Sequence, residues 1–150
     1  MPMTLKQLKD KLSAIEPTDR VYFGISPSEI PVLKRLLQDK EPWVASRAVF
    51  ALSRISDPKA IAILSKAAVD SRPEVRVAVA ASARNLKPKD ASKILLKLLA
   101  DPELGVRKFA VQSVSKAHGA VIYRKLKELA TRDPAPPMRA IAKERLRELK

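Results

Sequence analysis

This chain of 150 residues contains no cysteine, only three glycines, and only one Trp, two Tyr and three Phe. The absence of cysteine excludes a disulfide framework and any metal site with thiolate ligands. Few glycines and few aromatics are typical of packed helices rather than of a β-sandwich. No apolar run approaches the length of about 18 residues that spans a membrane, and residues 1–20 lack the apolar core of a signal peptide. We therefore expect a soluble cytoplasmic protein.

Acidic residues are also scarce, with 16 Asp and Glu against 30 Lys and Arg and a formal net charge of +14 at pH 7. A basic surface can bind polyanions by releasing counterions, but a charged solvent face is also normal for a soluble helix. The chain has no Gly-rich loop, Arg-Gly-Gly tract or row of aromatics for base stacking. Two hypotheses stay open: the charge serves binding of DNA or RNA, or it only keeps the protein soluble.

Prolines recur along the chain at intervals of 14 to 16 residues, with one double gap that contains Gly119. Proline is tolerated only in the first turn of a helix, so this spacing divides the chain into helices of about a dozen residues. Pairs of these segments resemble each other at a period of about 31 residues, which indicates a helical-repeat solenoid. The prolines in question stand at positions 27, 42, 58, 73, 88, 102 and 134.

The second helix of each pair repeats apolar residues at offsets 0, 4, 8 and 11, which form one buried helical face. These helices start at Val44, Val75, Val106 and Met138. A single pair cannot bury its stripe alone, so neighbouring pairs must stack. We predict one domain over residues 1–150. Its parts are an N-terminal capping helix and loop over 1–27 and four hairpins over about 28–55, 57–86, 88–117 and 119–150.

An aspartate stands six residues before an arginine in three of the predicted hairpins. With Ile-Pro-Val-Leu at 30–33 and Ser-Asp-Pro-Lys-Ala-Ile at 56–61, this pattern resembles HEAT repeats of the bacterial and archaeal type also found in phycobilin lyases. The resemblance covers about residues 28–149. It implies an all-α, right-handed α-α superhelix with an Asp–Arg ladder. The ladder pairs are Asp70 with Arg76, Asp101 with Arg107, and Asp133 with Arg139.

The first predicted hairpin departs from this pattern, because Ala45 stands where the arginine is expected. Either Arg47 substitutes for it, or the ladder stops there.

The resemblance also implies that the second helices line a concave face, where a partner would bind. Phe50 and Val77 are the apolar candidates, and the cations would raise the association rate with an acidic partner. Alternatively, the N-terminal helix or its loop covers Phe50, and Trp43 is either a surface anchor or packs on its own repeat. The predicted partner-binding residues are Phe50, Val77, Ala81, Arg54, Arg84, Lys108, Gln112 and Lys116.

Residues that could support catalysis are few. The only histidine, His118, precedes Gly119 at a predicted helix C-terminus, where a cation or capping role suffices. The chain has no cysteine nucleophile, no phosphate-binding loop and no His or Cys spacing typical of metal ligands. We therefore expect no enzyme activity, no cofactor, no metal and no small-molecule substrate. The hypothesis is a non-catalytic scaffold or adaptor that binds an acidic protein partner, with DNA or RNA backbone binding as the alternative.

Overall fold

The computed structural model describes residues 2–12, 22 and 24–150. Over these residues it contains nine α-helices, three 3₁₀ turns and no strand, which confirms the all-α fold class. The helices are α1 (Leu5–Leu12), α2 (Ile30–Leu36), α3 (Pro42–Ser53), α4 (Pro58–Ala67), α5 (Pro73–Ser82), α6 (Pro88–Leu98), α7 (Leu104–Ser113), α8 (Ala120–Arg132) and α9 (Pro136–Glu148). The 3₁₀ turns are Pro27–Glu29, Ala83–Asn85 and Lys116–His118. In the part of the chain described here, no helix is both long enough and apolar enough to cross a membrane.

The chain divides into two compact units, Met1–Val79 and Ala80–Lys150, and the division falls inside α5. We describe each unit separately. Unit 1 contains α1 to α4 and most of α5, and unit 2 contains α6 to α9. The single domain over 1–150 stays a prediction.

Prolines start five of the described helices, namely α3, α4, α5, α6 and α9. The first residue of a helix has no intrahelical partner for its N–H, and the proline ring holds φ near the helical value, so proline is well suited to this position. Helix α8 starts differently, after Gly119, whose φ of +91° is a conformation that residues with a side chain rarely adopt. The chain uses this glycine to turn from the 3₁₀ segment Lys116–His118 into α8.

Leucines from the first three helices form the core of unit 1. Leu8 and Leu12 of α1 are at most 1% exposed, as are Leu33 and Leu36 of α2. Thr4 begins α1 with a reciprocal cap: its Oγ1 accepts the N–H of Gln7 at 3.1 Å, and the Gln7 side chain accepts the N–H of Thr4 at 2.9 Å. The N-terminal helix is therefore joined to the core by its apolar stripe.

The core of unit 2 is built in the same way. Its fully buried residues include Leu95 and Leu98 of α6, Val106 of α7 and Leu126 of α8. The fourth member of the predicted α7 stripe differs, because α7 ends at Ser113 and the next residue has an extended backbone. Ala117 is therefore exposed, and His118 is buried in its place. The prediction of a helix that reaches residue 117 is wrong.

Candidate functional site

Each turn between a first and a second helix is built around one aspartate. The Oδ1 atom of this residue accepts the backbone N–H two residues further on, at 2.9 Å in all four turns. Aspartate favours such turns because its short side chain replaces a backbone acceptor. The four residues are Asp39, Asp70, Asp101 and Asp133.

The predicted ladder arginines donate to these turns through the main chain. Nη1 of Arg76 donates to the carbonyl oxygen of Asp70 at 2.8 Å. The equivalent bonds join Arg107 to Asp101 at 2.9 Å and Arg139 to Asp133 at 2.6 Å. The contact within a hairpin is thus made to the backbone carbonyl of the aspartate six residues earlier.

The aspartate carboxylate connects neighbouring hairpins in unit 2. Nε of Arg107 donates to Oδ2 of Asp133 at 2.9 Å, and Nη2 donates to Oδ1 at 3.0 Å. The Arg107 side chain is 10% exposed and the Asp133 side chain 1% exposed. A two-bond pair of this kind is both strong and geometrically specific. One arginine therefore fixes its own turn and, at the same time, the turn of the next hairpin.

In the first hairpin, where Ala45 replaces the arginine, another residue donates to the turn carbonyls. Neither of the two alternatives predicted this arrangement. Nη1 of Arg72 donates to the carbonyl oxygen of Asp39 at 3.0 Å, and Nη2 donates to that of Leu37 at 2.6 Å. Nε of Arg72 also donates to Oδ1 of Asp70 at 3.0 Å. Arg47 donates instead to the carbonyl oxygen of Leu12, at the end of α1. Arg72, from the following turn, takes the role expected of Arg47.

Hydrogen bonds lower the pKa of two of the turn aspartates, Asp70 and Asp39. The hydrogen bond from the Arg72 guanidinium lowers the pKa of the Asp70 carboxyl, against the opposing effect of burial. The N–H of Glu41 and then the side chain of Lys9 lower the pKa of Asp39, and Lys9 Nζ lies 3.1 Å from Asp39 Oδ2. Both carboxylates are therefore charged at neutral pH and hold their cations.

The partner surface predicted in unit 1 is half-buried. Phe50 and Val77 are both partly covered. Arg54 follows the last residue of α3, and its guanidinium lies 4.7 Å from the ring centroid of Tyr22. Val21 and Phe23, which belong to the predicted N-terminal loop, fall outside the described residues.

Trp43 is the large apolar residue of α3 that faces outward, with 44% of its surface exposed. The guanidinium of Arg47 lies 5.8 Å from its ring centroid. The ring therefore contacts Arg47 of its own helix, while much of its surface meets solvent, and a role as a surface anchor stays a prediction.

The residues predicted in unit 2 are more open. Lys108 and Gln112 are exposed one turn apart on α7. Arg84 and Lys116 are exposed too, but they lie in 3₁₀ turns beyond the ends of α5 and α7, so they do not lie on the helix face itself. Ala81 is half-buried.

Phe109 is a residue that the sequence interpretation missed. It is 36% exposed on α7, and Nζ of Lys108 lies 6.0 Å from its ring centroid. The sequence could have indicated its exposure, because Phe109 stands three residues after Val106 and therefore outside the buried offsets 0, 4, 8 and 11 of the repeat.

His118 is buried in the turn between α7 and α8. Its Nδ1 accepts the N–H of Ser115 at 2.8 Å, and its carbonyl oxygen accepts the hydroxyl of Ser92 in α6 at 3.1 Å. Burial lowers the pKa of His118, so the ring is neutral at pH 7 with its proton on Nε2. The residue holds the turn in place and is not the helix-terminal cation considered above.

The described surface includes a groove in each unit. A groove of about 520 Å³ runs between α2 and α4 in unit 1, with Lys34 and Lys66 among its lining residues. A groove of about 360 Å³ in unit 2 lies beside the pair of Arg107 and Asp133. In residues 2–12, 22 and 24–150, no cluster of three His, Cys, Asp or Glu has the geometry to hold a metal ion.

Successive helix pairs, each with an Asp-based turn and an arginine on the turn carbonyl, define an α-helical repeat protein. The family model for HEAT repeats matches residues 22–83 and 64–147. The chain belongs to the HEAT-repeat family. A solved structure with the same fold is the complex of CpcE and CpcF of phycocyanin lyase from Nostoc sp. PCC7120. The match has a TM-score of 0.71 and 22% identity and covers 95% of this chain and 97% of that chain. A search of curated protein sequences finds no match.

The comparison corrects one prediction. The residue inventory led us to expect that the chain is not an enzyme, but the fold recurs over nearly the full length of a chain in a lyase complex. The prediction is therefore wrong, because a lack of recognisable catalytic motifs does not exclude an enzyme with this fold. At 22% identity the likeness shows the fold, and lyase activity is stated of the Nostoc complex.

Proposed function

We propose that this HEAT-repeat protein is a scaffold that binds an acidic protein partner through the outward faces of its second helices. The family fold supports a role in protein interaction, since stacked repeats present extended surfaces to partners. The solved neighbour is itself described as a complex of two proteins, which supports a protein as the partner.

The observation that carries the proposal is the exposed face of α7 in unit 2. Lys108 and Gln112 are exposed one turn apart, Phe109 presents an aromatic ring beside them, and Lys116 follows in the adjoining turn. An exposed aromatic residue among cations is a typical protein-binding surface. Opposite charges would raise the association rate, while apolar contacts would slow dissociation. In unit 1, Phe50 and Val77 are the proposed apolar anchors.

Charge reversal of Lys108 and Lys116 together to Glu is expected to lower the association rate with the partner about tenfold. The partner is first isolated by affinity capture from nuclease-treated lysate, and rates are then measured by surface plasmon resonance at two salt concentrations. The matched control replaces Lys89 and Lys93 with Glu, which changes the net charge equally but on α6. An equal loss of rate in the control would contradict a specific α7 surface. Both lysine pairs are exposed, so the melting temperature should stay unchanged.

A second candidate function is binding of the DNA or RNA backbone by the first helices of unit 2. Helices α6 and α8 expose six cations, none of which forms an ion pair with a described residue. Such a row neutralises phosphates without reading bases. The six residues are Lys89, Lys93, Lys97, Arg124, Lys127 and Arg132.

This second candidate predicts a steep salt dependence. If about five phosphates are engaged, the logarithm of the binding constant for random duplex DNA should fall against the logarithm of salt with a slope of about −4.5. Replacing Lys93 and Lys97 with Glu should reduce that slope, whereas the Lys108 and Lys116 double variant should leave it nearly unchanged. Gel shifts at increasing salt measure the slope. No shift at micromolar protein and physiological salt would contradict nucleic-acid binding.

A further inference from the structure

The groove between α2 and α4 is the larger of the two described above, and small residues stand on α4 where later repeats have large ones. Ala62 and Ala67 are equivalent in the repeat to Lys93 and Leu98 of α6. Two alanines in place of two long side chains leave an open volume of about 520 Å³ between the helices. This is within the range of clefts that enclose ligands, which is about 300–1,000 Å³. An equivalent but smaller groove, of about 360 Å³, lies in unit 2, where Leu129 stands at the position of Ala67.

The floor and walls of the groove are apolar. Leu37 and Ala67 form buried parts of the floor, and Ile63 lines it half-buried. Val69 is 59% exposed, the largest exposed fraction among the large apolar residues of the described chain. An exposed aliphatic surface in a concave site is favourable to cover, because contact removes it from water.

The rim of the groove is positively charged. Lys34 on α2 and Lys66 on α4 both line it, and neither forms an ion pair or hydrogen bond with a described residue. The carboxylate of Asp70 also lies here, but Arg72 holds it through two hydrogen bonds. Two cations therefore remain available at the rim.

The end of α2 does not cancel this positive charge. Exposed carbonyls at a helix C-terminus normally give a partial negative charge. Here the carbonyl oxygen of Leu37 accepts Nη2 of Arg72 at 2.6 Å, so a guanidinium faces that end of the helix. The groove thus combines an apolar floor with a cationic rim.

We propose that the α2–α4 groove binds an acidic amphipathic helix from a partner protein. Apolar side chains of this helix, spaced three and four residues apart, fill the space above Ala62 and Val69. Carboxylates on its flanks pair with Lys34 and Lys66. A helix laid into a groove between two helices presents side chains at that spacing. A nucleic-acid backbone has no apolar group to cover Val69. The proposal concerns first helices and is independent of the surface proposed on the second helices.

The test uses a fluorescent 16-residue peptide with Leu on one helical face and Glu on both flanks, and a scrambled peptide of the same composition. Fluorescence anisotropy with the full chain should show at least tenfold tighter binding of the patterned peptide. Ala62→Trp fills the groove and should lower the affinity about tenfold or more. Its control is Ser65→Trp, which places the same side chain on an exposed position of α4 outside the groove lining and should leave the affinity unchanged.

Charge is tested separately. Reversal of Lys34 and Lys66 to Glu should lower the affinity at least tenfold. Reversal of Lys59 and Lys93, two exposed lysines outside the groove lining, changes the net charge equally and should have little effect. The melting temperature of each variant verifies folding.

Three results would overturn the proposal. Equal binding of the scrambled peptide, or equal loss in both charge-reversed pairs, would show that bulk charge is responsible. Binding of duplex DNA that is lost only on reversal of Lys34 and Lys66 would assign the groove to phosphate. A dimer that Ala62→Trp dissociates would assign it to a second copy of the chain. None of these results bears on the α7 surface, because every variant lies on a first helix.

Discussion

Replacement of Arg107 with alanine is expected to lower the free energy of unfolding by about 3–5 kcal/mol. The side chain makes two bonds to the carboxylate of Asp133 and one to the carbonyl oxygen of Asp101. Its loss leaves a carboxylate that is 1% exposed without its cation. An unpaired buried charge is costly because protein interior replaces its hydration. The melting temperature should fall by roughly 10 °C, as measured by circular dichroism and urea denaturation.

A double variant tests whether the unpaired charge of Asp133 causes the loss of stability. In the double variant Arg107→Ala with Asp133→Asn, the uncompensated charge is gone while an acceptor for the turn is kept. This double variant should therefore be more stable than Arg107→Ala alone. Arg147→Ala removes a pair with Glu144 at 2.7 Å whose side chains are 69% and 61% exposed, and should cost less than about 0.5 kcal/mol. Similar costs for the two arginines would contradict the role of burial.

Replacement of Arg72 with alanine is expected to cost about 2–4 kcal/mol, mainly in unit 1. The guanidinium donates to the carbonyl oxygens of Leu37 and Asp39 and to the carboxylate of Asp70. No other residue type spans three such acceptors, because only a guanidinium has five donors in a planar fork. Arg72→Lys should therefore recover only a small part of the loss. Hydrogen exchange followed by mass spectrometry should show faster exchange in the turn after α2.

The same substitution should change the acid sensitivity of the protein. The hydrogen bond from Arg72 holds the pKa of Asp70 below its usual range. Since the folded pKa is the lower one, this stabilisation is present above the unfolded pKa and is lost as pH falls through the folded pKa. Arg72→Ala should thus flatten the decline of stability below about pH 4. Arg35→Ala, an exposed arginine of α2, serves as control and should leave both stability and its pH profile unchanged.

The buried stripes were predictable from sequence because they depend on local periodicity. A proline at a helix start and an apolar residue every third or fourth position act within one helix, and Val44, Leu52 and Leu64 are buried accordingly. The predicted pattern placed Arg54, Arg84 and Lys116 on helical faces, whereas the structure places all three beyond a helix end. Helix length depends on capping and on neighbours, so it is a weaker inference than helix position.

The candidate sites depended on contacts between distant residues. Arg72 reaches Leu37 over 35 positions, and no repeat pattern indicated that it would replace an arginine at Ala45. The stacking of Arg54 on Tyr22 likewise joins residues far apart in the chain. The groove above Val69 is visible only once α2 and α4 lie side by side.

The sequence alone determined the all-α class, the HEAT-repeat pattern and the apolar stripes, because proline geometry and helical periodicity act over a few residues. Tertiary packing decided which cations are bound and which are available. Arg72 and Arg107 hold carbonyls and carboxylates inside their units, while Lys34 and Lys66 lie at the rim of a groove without an ion-pair partner among the described residues. The reason is that the free energy of a charged side chain depends on its burial and on its hydrogen-bond and ion-pair partners. Residues far away in the chain determine both.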